Sequence, residues 1–293
     1  MDSGIWKWRK RELKKKEEMR GEKKQHAPLR AFLFFLIALL VYEIGRTAGT
    51  LAVGLLSGPL LVGMGGKGAE GLQDGLMLLA APLGGAVACI GVFGRKLCFG
   101  HWRQEQIAPK DGTERKPLQI RMAFLVFAAA SALGLNLLLA LLHITQQSSA
   151  FEEVAAVQAA VPVWMGLCIY GICAPFSEEL SFRGLIYGKA RSLFPPAAAM
   201  VFSGLLFGLS HGNLVQAIYG CILGTILSFI YEREGRLLEP VLFHGVANLA
   251  VYLLIDVWGL GMRLSVAGAW FLCVLLLLMA VSAGWMCYGR GRK

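Results

Sequence analysis

The chain has 293 residues, of which 56% are hydrophobic and only 16% charged, and its mean hydropathy is +0.58. That charge content is too low for a water-soluble protein of this length, and several apolar runs are long enough to cross a bilayer, so a soluble enzyme or binding module is excluded. The net charge of +10 does not point to nucleic acid, because no soluble folded domain is present and the cations lie in a tail and in loops, where they fit membrane topology and anionic lipid.

Residues 1–30 form a basic tail carrying Lys7, Arg9, Lys10, Arg11, Lys14, Lys15, Lys16, Arg20, Lys23, Lys24 and Arg30. About thirty residues precede the first apolar run, which does not fit a cleavable signal peptide. With Trp6 and Trp8 among the cations, the tail is read either as a solvated cytoplasmic segment or as one lying on anionic lipid. The first three spans are expected at 31–56, 72–93 and 122–144. A Gly-rich loop (57–71) joins the first two, and a long basic loop follows the second. Residues 145–160, with Glu152 and Glu153 and no Lys or Arg, read as a loop on the opposite side. A fourth span covers 161–187 and ends at Lys189, Arg191 and the Pro195-Pro196 turn. Spans at 197–210, 214–231, 237–255 and 265–286 complete the chain. Basic residues alternate across these segments, so the positive-inside rule gives an all-α, polytopic bundle of about eight transmembrane helices with both termini cytoplasmic. The organisation is a basic tail (1–30), N-terminal spans (31–145), a core (161–255) and a last span (265–288).

The seven cysteines include no C-x-x-C pair and read as small apolar residues within helices.

The most informative stretch is Ser177-Glu178-Glu179-Leu180-Ser181-Phe182-Arg183-Gly184. Each charge at the centre of a span costs about 2.5–3.5 kcal/mol on insertion scales, so three together need a reason. On a helix, Glu179 and Arg183 share one face in the favourable ion-pair order. Glu178 points about 100° away. Glu178 therefore reads as the free, reactive carboxylate, and the pair as its support; the bland alternative is an ion pair that only fixes helix packing. Phe207 and His211 are four apart on span five, as are His244 and Asn248 on span seven. If Glu178, His211, His244 and Asn248 converge, they form a polar pocket in an apolar wall suited to hydrolysis. A carboxylate or imidazole would take a proton from water while its neighbours orient the water or stabilise an oxyanion. Alternatively, the Glu and two His would bind a divalent metal. No H-E-x-x-H motif is present. Counted from the inner surface, Glu178 lies roughly 15 Å deep and His244 and Asn248 about 10–17 Å, but His211 comes out deeper. Either span five starts late, or it tilts, or residues near Pro195-Pro196 re-enter the membrane.

These three motifs resemble those of the CPBP family of intramembrane proteases, which comprises CAAX prenyl endopeptidases and Abi-like bacterial relatives linked to bacteriocin processing and immunity. Glu-Glu-x-x-x-Arg matches Glu178, Glu179 and Arg183. Phe-x-x-x-His matches Phe207 and His211, and His-x-x-x-Asn matches His244 and Asn248. The resemblance covers about 161–252 and does not include the basic tail. It implies a membrane endopeptidase in which Glu178 activates water, His211 and His244 assist or ligate metal, and Asn248 orients water or stabilises the oxyanion. Glu179, Arg183 and Phe207 would support them. A divalent metal such as zinc, held by Glu178, His211 and His244, and a metal-free glutamate mechanism both remain open. The implied partners are a membrane protein, lipidated protein or peptide substrate and the lipid bilayer, in a multi-pass cell-membrane protein. The rival readings are a catalytically idle scaffold or immunity factor and a proton-coupled transporter. Glu43, Arg46 and Asp256 are assigned to span edges and helix packing.

Overall fold

A computed structural model describes residues 27–62, 66–94 and 117–289. Most of the basic tail and the loop after the second span lie outside the described residues. The chain divides into residues 1–40 and 41–293. The described part of the first unit is the start of helix α1; every contact given below lies within the second.

The described residues form helices and no strand. They are α1 (Ala27–Val62), α2 (Lys67–Phe93), α3 (Leu118–Leu141), α4 (Ser149–Ala160), α5 (Val163–Arg191), α6 (Pro196–Leu209), α7 (Leu214–Glu234), α8 (Leu238–Val257), α9 (Leu260–Arg263) and α10 (Val266–Tyr288). Their polarity is inverted relative to a water-soluble fold. Leu55, Phe271 and Val281 are 72–76% exposed, whereas Glu179 and Arg183 are fully buried. An apolar exterior around a polar interior is the arrangement a bilayer imposes. The protein is a multi-pass integral membrane protein.

Six helices (α1, α2, α3, α7, α8 and α10) are long and apolar enough to cross a membrane. The remaining two expected spans are helical but differ from these six. The fourth, α5, carries Glu178, Glu179 and Arg183 and meets α4 at a 112° bend; if that bent pair is one broken span, the count is seven. The fifth, α6, has 14 residues, about 21 Å at helical rise and less than the ~30 Å hydrocarbon core.

Two loops are shorter than the sequence suggested. Residues 149–160, expected as a loop, are helical because Ser148 caps them, its Oγ accepting from Phe151 N at 3.2 Å. The helix stops at Val161, which precedes Pro162 and is driven into extended backbone. Helix α1 runs through Pro59 to Val62, so the Gly-rich loop shrinks to a few residues.

Helix α5 is not a uniform α-helix. Two widened π-helical stretches, Ile169–Cys173 and Leu180–Tyr187, flank the short α-helical segment Ala174–Glu179 that carries the glutamates. Pro175 explains the first: it has no N–H for the Gly171 carbonyl, and its ring pushes that turn open. In the second, the Ser181 hydroxyl donates back to Ser177 O at 3.0 Å, which competes with the backbone ladder. The Gly171 carbonyl rests against Gly245 of α8, where a Cβ would overlap it. Glycine at 245 therefore lets α8 approach α5 one residue from His244. The other side of α8 is fixed by Phe243, which is fully buried and receives the edges of Phe124 and Phe127 at centroid distances of 5.8 and 5.0 Å. Along α8, packing thus fixes the residues on either side of His244.

Gly245→Val is expected to force α8 away from α5 and cost roughly 1–3 kcal/mol by overpacking. Thermal unfolding in detergent should show a lower midpoint for this variant. Gly91→Ala, where a Cβ meets open space, should leave the midpoint unchanged or slightly raised.

Candidate active site

The site is built around a buried ion pair. Arg183 Nη1 donates to Glu179 Oε1 at 2.8 Å, and neither side chain has any exposed surface. The guanidinium is held on two further sides. Its Nη2 donates to Gly224 O on α7 at 3.0 Å, and its plane lies over the Phe207 ring at 4.5 Å. Gly224 permits this approach, because a Cβ there would meet Phe207 at 2.9 Å and Arg183 Nη2 at 3.3 Å. The cation is thus contacted by a carboxylate, a carbonyl and an aromatic face, while its Nε, like Glu179 Oε2, is buried without a hydrogen-bond partner.

The pair also fixes a histidine. His244 Nδ1 lies 2.8 Å from Glu179 Oε1. A carboxylate can only accept, so Nδ1 carries a proton, and in the neutral ring Nε2 then presents a lone pair. Nε2 faces Glu178 Oε2 at 3.6 Å. Glu178 is 18% exposed at its side chain, unlike its neighbour. With the ring neutral, its carboxylate and the bare nitrogen are two adjacent acceptors open to a shared donor bound beside them. A water molecule giving one hydrogen to each would satisfy both, and that is the geometry in which water is activated.

His211 follows the same logic. Its Nδ1 lies 2.8 Å from Phe207 O and donates to it, again leaving Nε2 bare. Phe207 stands between the two histidines, its ring 4.9 Å from His211 and 5.7 Å from His244. Helix α6 starts at Pro196, one residue before the expected start of span five, so a late start does not account for the depth counted for His211; the mismatch narrows because α5 continues to Arg191. His211 lies fifteen residues beyond Pro196, and Glu178 thirteen residues before Arg191, so the two counts agree within a turn. Asn248 lies one turn beyond His244 on α8, half-buried. Six of the seven residues singled out in the sequence lie on α5, α6 and α8, and His211 lies in the turn after α6; Phe207, Glu179 and Arg183 link the two histidines.

Several participants were not anticipated. Tyr42 of α1 packs its ring edge-on to Phe182 at 5.2 Å, and Phe182 packs on Phe207 at 5.0 Å. Arg46, assigned from sequence to helix packing, donates to Ser210 O at 3.1 Å, next to His211. Tyr42 and Arg46 are both within electrostatic reach of Glu178. The available signal was an Arg in the middle of an apolar span, where a charge is expected to face the bundle interior. At the other end of α5, Tyr187 and Arg191 both donate to Glu232 of α7, at 2.6 and 3.0 Å.

The bare Nε2 atoms and Glu178 are metal-binding atoms in kind. In this arrangement, however, no group of three His, Cys, Asp or Glu among the described residues converges to hold a metal ion. The described residues therefore do not fit a three-ligand centre as they stand.

Residues 159–250 match the model of the type II CAAX prenyl endopeptidase, Rce1-like family. The "Putative membrane peptidase YdiL" of Bacillus subtilis (strain 168) is 26% identical over 111 residues, covering 38% of this chain and 45% of that protein. The UPF0177 protein YxdF of Lactococcus lactis subsp. lactis (strain IL1403) is 32% identical over 90 residues, covering 30% and 49%. The chain thus spans just under half the length of these curated relatives. No solved structure matches it. All seven motif residues singled out in the sequence fall inside the matched segment.

Removing one partner of the buried pair should be costly. Glu179→Gln or Arg183→Met alone is expected to destabilise the fold by about 3–5 kcal/mol, because each leaves an uncompensated group in a dry interior. The double variant should lose clearly less than the sum. Unfolding of the four proteins in detergent provides the cycle; strict additivity would contradict the pairing.

Proposed function

We propose that the chain is a CAAX-type intramembrane endopeptidase that hydrolyses a peptide bond of a membrane-associated, lipidated or prenylated protein or peptide. The observation that carries this reading is the confrontation of Glu178 Oε2 with His244 Nε2 at 3.6 Å, with the other nitrogen of His244 already committed to Glu179. Glu178 takes a proton from the water held between them, and the water oxygen attacks the scissile carbonyl. Asn248, one turn beyond His244 on α8, would donate its amide to the oxyanion so formed. Glu178, now protonated, passes its proton to the leaving amine as the C–N bond breaks, so no net charge is left in the membrane. His244 orients the water, and His211 presents a second bare nitrogen to the same space. Glu179 and Arg183 hold the imidazole of His244 in the tautomer this chemistry requires.

No step in this scheme requires a metal. The basic tail, by composition alone, is suited to anionic lipid at the membrane surface.

Glu178→Gln should remain folded, because Glu178 lies outside the buried pair, and should lose about 10²–10⁴-fold in hydrolysis of a prenylated or membrane-peptide reporter. Activity of the wild type should survive a strong chelator. Full activity in Glu178→Gln would overturn the site assignment. Loss with chelator and recovery with zinc would make Glu178, His211 and His244 metal ligands instead.

A further inference from the structure

The reaction scheme leaves Arg46, a cation within a candidate span, without a role. Arg46 is the twentieth of the 36 residues of α1, far from either end. A cation at this depth is costly unless it is partnered. Its carboxylate partner is a loose one: Arg46 Nη1 lies 3.4 Å from Glu43, and both side chains are partly exposed, at 33% and 43%. The tighter hydrogen bond from the same nitrogen runs to Ser210 O on α6, at 3.1 Å.

Ser210 closes the last turn of α6, and the carbonyls of a helix's last turn have no partner within the helix. A guanidinium is well matched to them, both as a donor and as a positive charge at the negative end of the helix dipole. The next residue is His211. Its backbone N–H bonds to Gly208 O at 3.2 Å, its ring is tied to Phe207 O, and the chain then reverses at Gly212 with φ +76°. Every one of these restraints on His211 comes from α6 itself. Arg46 supplies a restraint from outside, anchoring the turn to α1. The ring contacts Tyr42–Phe182–Phe207 run beside it between the same elements, and the guanidinium sits 5.6 Å from the Tyr42 ring centroid. Arg46 and Glu178 are both within electrostatic reach of His211.

We propose that Arg46 is a positioning residue of this site, clamping the Ser210–His211 turn to α1 so that His211 faces Glu178. This rests on the peptidase reading for its catalytic consequence but not for the clamp itself. Glu43 in turn braces Arg46, which accounts for an acid and a base three apart within an apolar span.

The test compares wild type, Arg46→Met and Arg46→Lys as full-length protein in detergent, with two readouts. The first is hydrogen–deuterium exchange of the peptide covering residues 206–213. Arg46→Met should speed exchange at this turn while leaving α10 unchanged, and Arg46→Lys, which still donates to the carbonyl, should restore protection. The second is hydrolysis of the reporter. Arg46→Met should lower kcat by roughly 10²-fold with little change in KM, the expected effect of misplacing a catalytic group by an ångström or so, and Arg46→Lys should recover most of it. Unchanged exchange at 206–213 in Arg46→Met overturns the clamp. Altered exchange with unchanged kcat overturns the positioning role. If the wild type hydrolyses nothing, the peptidase reading fails, and the exchange arm alone still decides whether the clamp exists.

Discussion

A charge pair with no exposed surface, Glu179–Arg183, is the constraint on which the rest of the core depends. An ion pair away from water is tolerated only if its remaining polar atoms find partners. Here that requirement is met in part: Glu179 Oε2 and Arg183 Nε are buried without a hydrogen-bond partner, and the pair's other polar atoms draw in the surrounding helices. Arg183 reaches a backbone carbonyl of α7 and the face of Phe207 on α6, and Glu179 takes the Nδ1 proton of His244 on α8. One pair on α5 therefore sets the position of three other elements. The catalytic consequence follows from the same bonds. With Nδ1 committed, the second nitrogen of His244 is bare and turned toward Glu178. In this account, what looks like structural support also selects a tautomer.

The broken geometry of α5 serves that arrangement. Pro175 opens the helix one turn before the glutamates, and the freed turn meets α8 at Gly245. The short α6 ends at the level of the site, so that its C-terminal histidine is presented there and does not lie mid-helix. Helical irregularities of this kind recur where side chains must be aimed. The charges balance locally as well. Arg183 faces Glu179, and Arg46 lies within reach of Glu178, which makes four ionised groups inside an apolar bundle less costly.

Much of this was legible in the sequence. Long apolar runs and the distribution of Lys and Arg gave a polytopic helical bundle, and the three motifs named the residues that meet. The pairing of Glu179 with Arg183 followed from a spacing of four. Three features were not legible, each for a physical reason. Residues 149–160 were taken as loop because Glu152 and Glu153 break the apolar pattern; the helix there is set by the Ser148 cap and the Pro162 stop. The contact between Glu179 and His244 spans 65 positions, and no local periodicity encodes which nitrogen turns which way. Arg46 was assigned to helix packing, but its partner was not legible because Ser210 O is a backbone atom at the end of another helix. Side-chain patterns say little about where an orphan carbonyl will lie.

The most direct test of the central claim is the state of the His244 ring, read from the nitrogen chemical shifts of selectively ¹⁵N-histidine-labelled protein in micelles near neutral pH, with His244→Asn used for assignment. The account requires a neutral ring protonated at Nδ1 in the wild type, and a loss of that single tautomer in Glu179→Gln. A ring protonated only at Nε2, or one indifferent to the loss of the Glu179 carboxylate, would mean that the buried pair does not set the chemistry of the site.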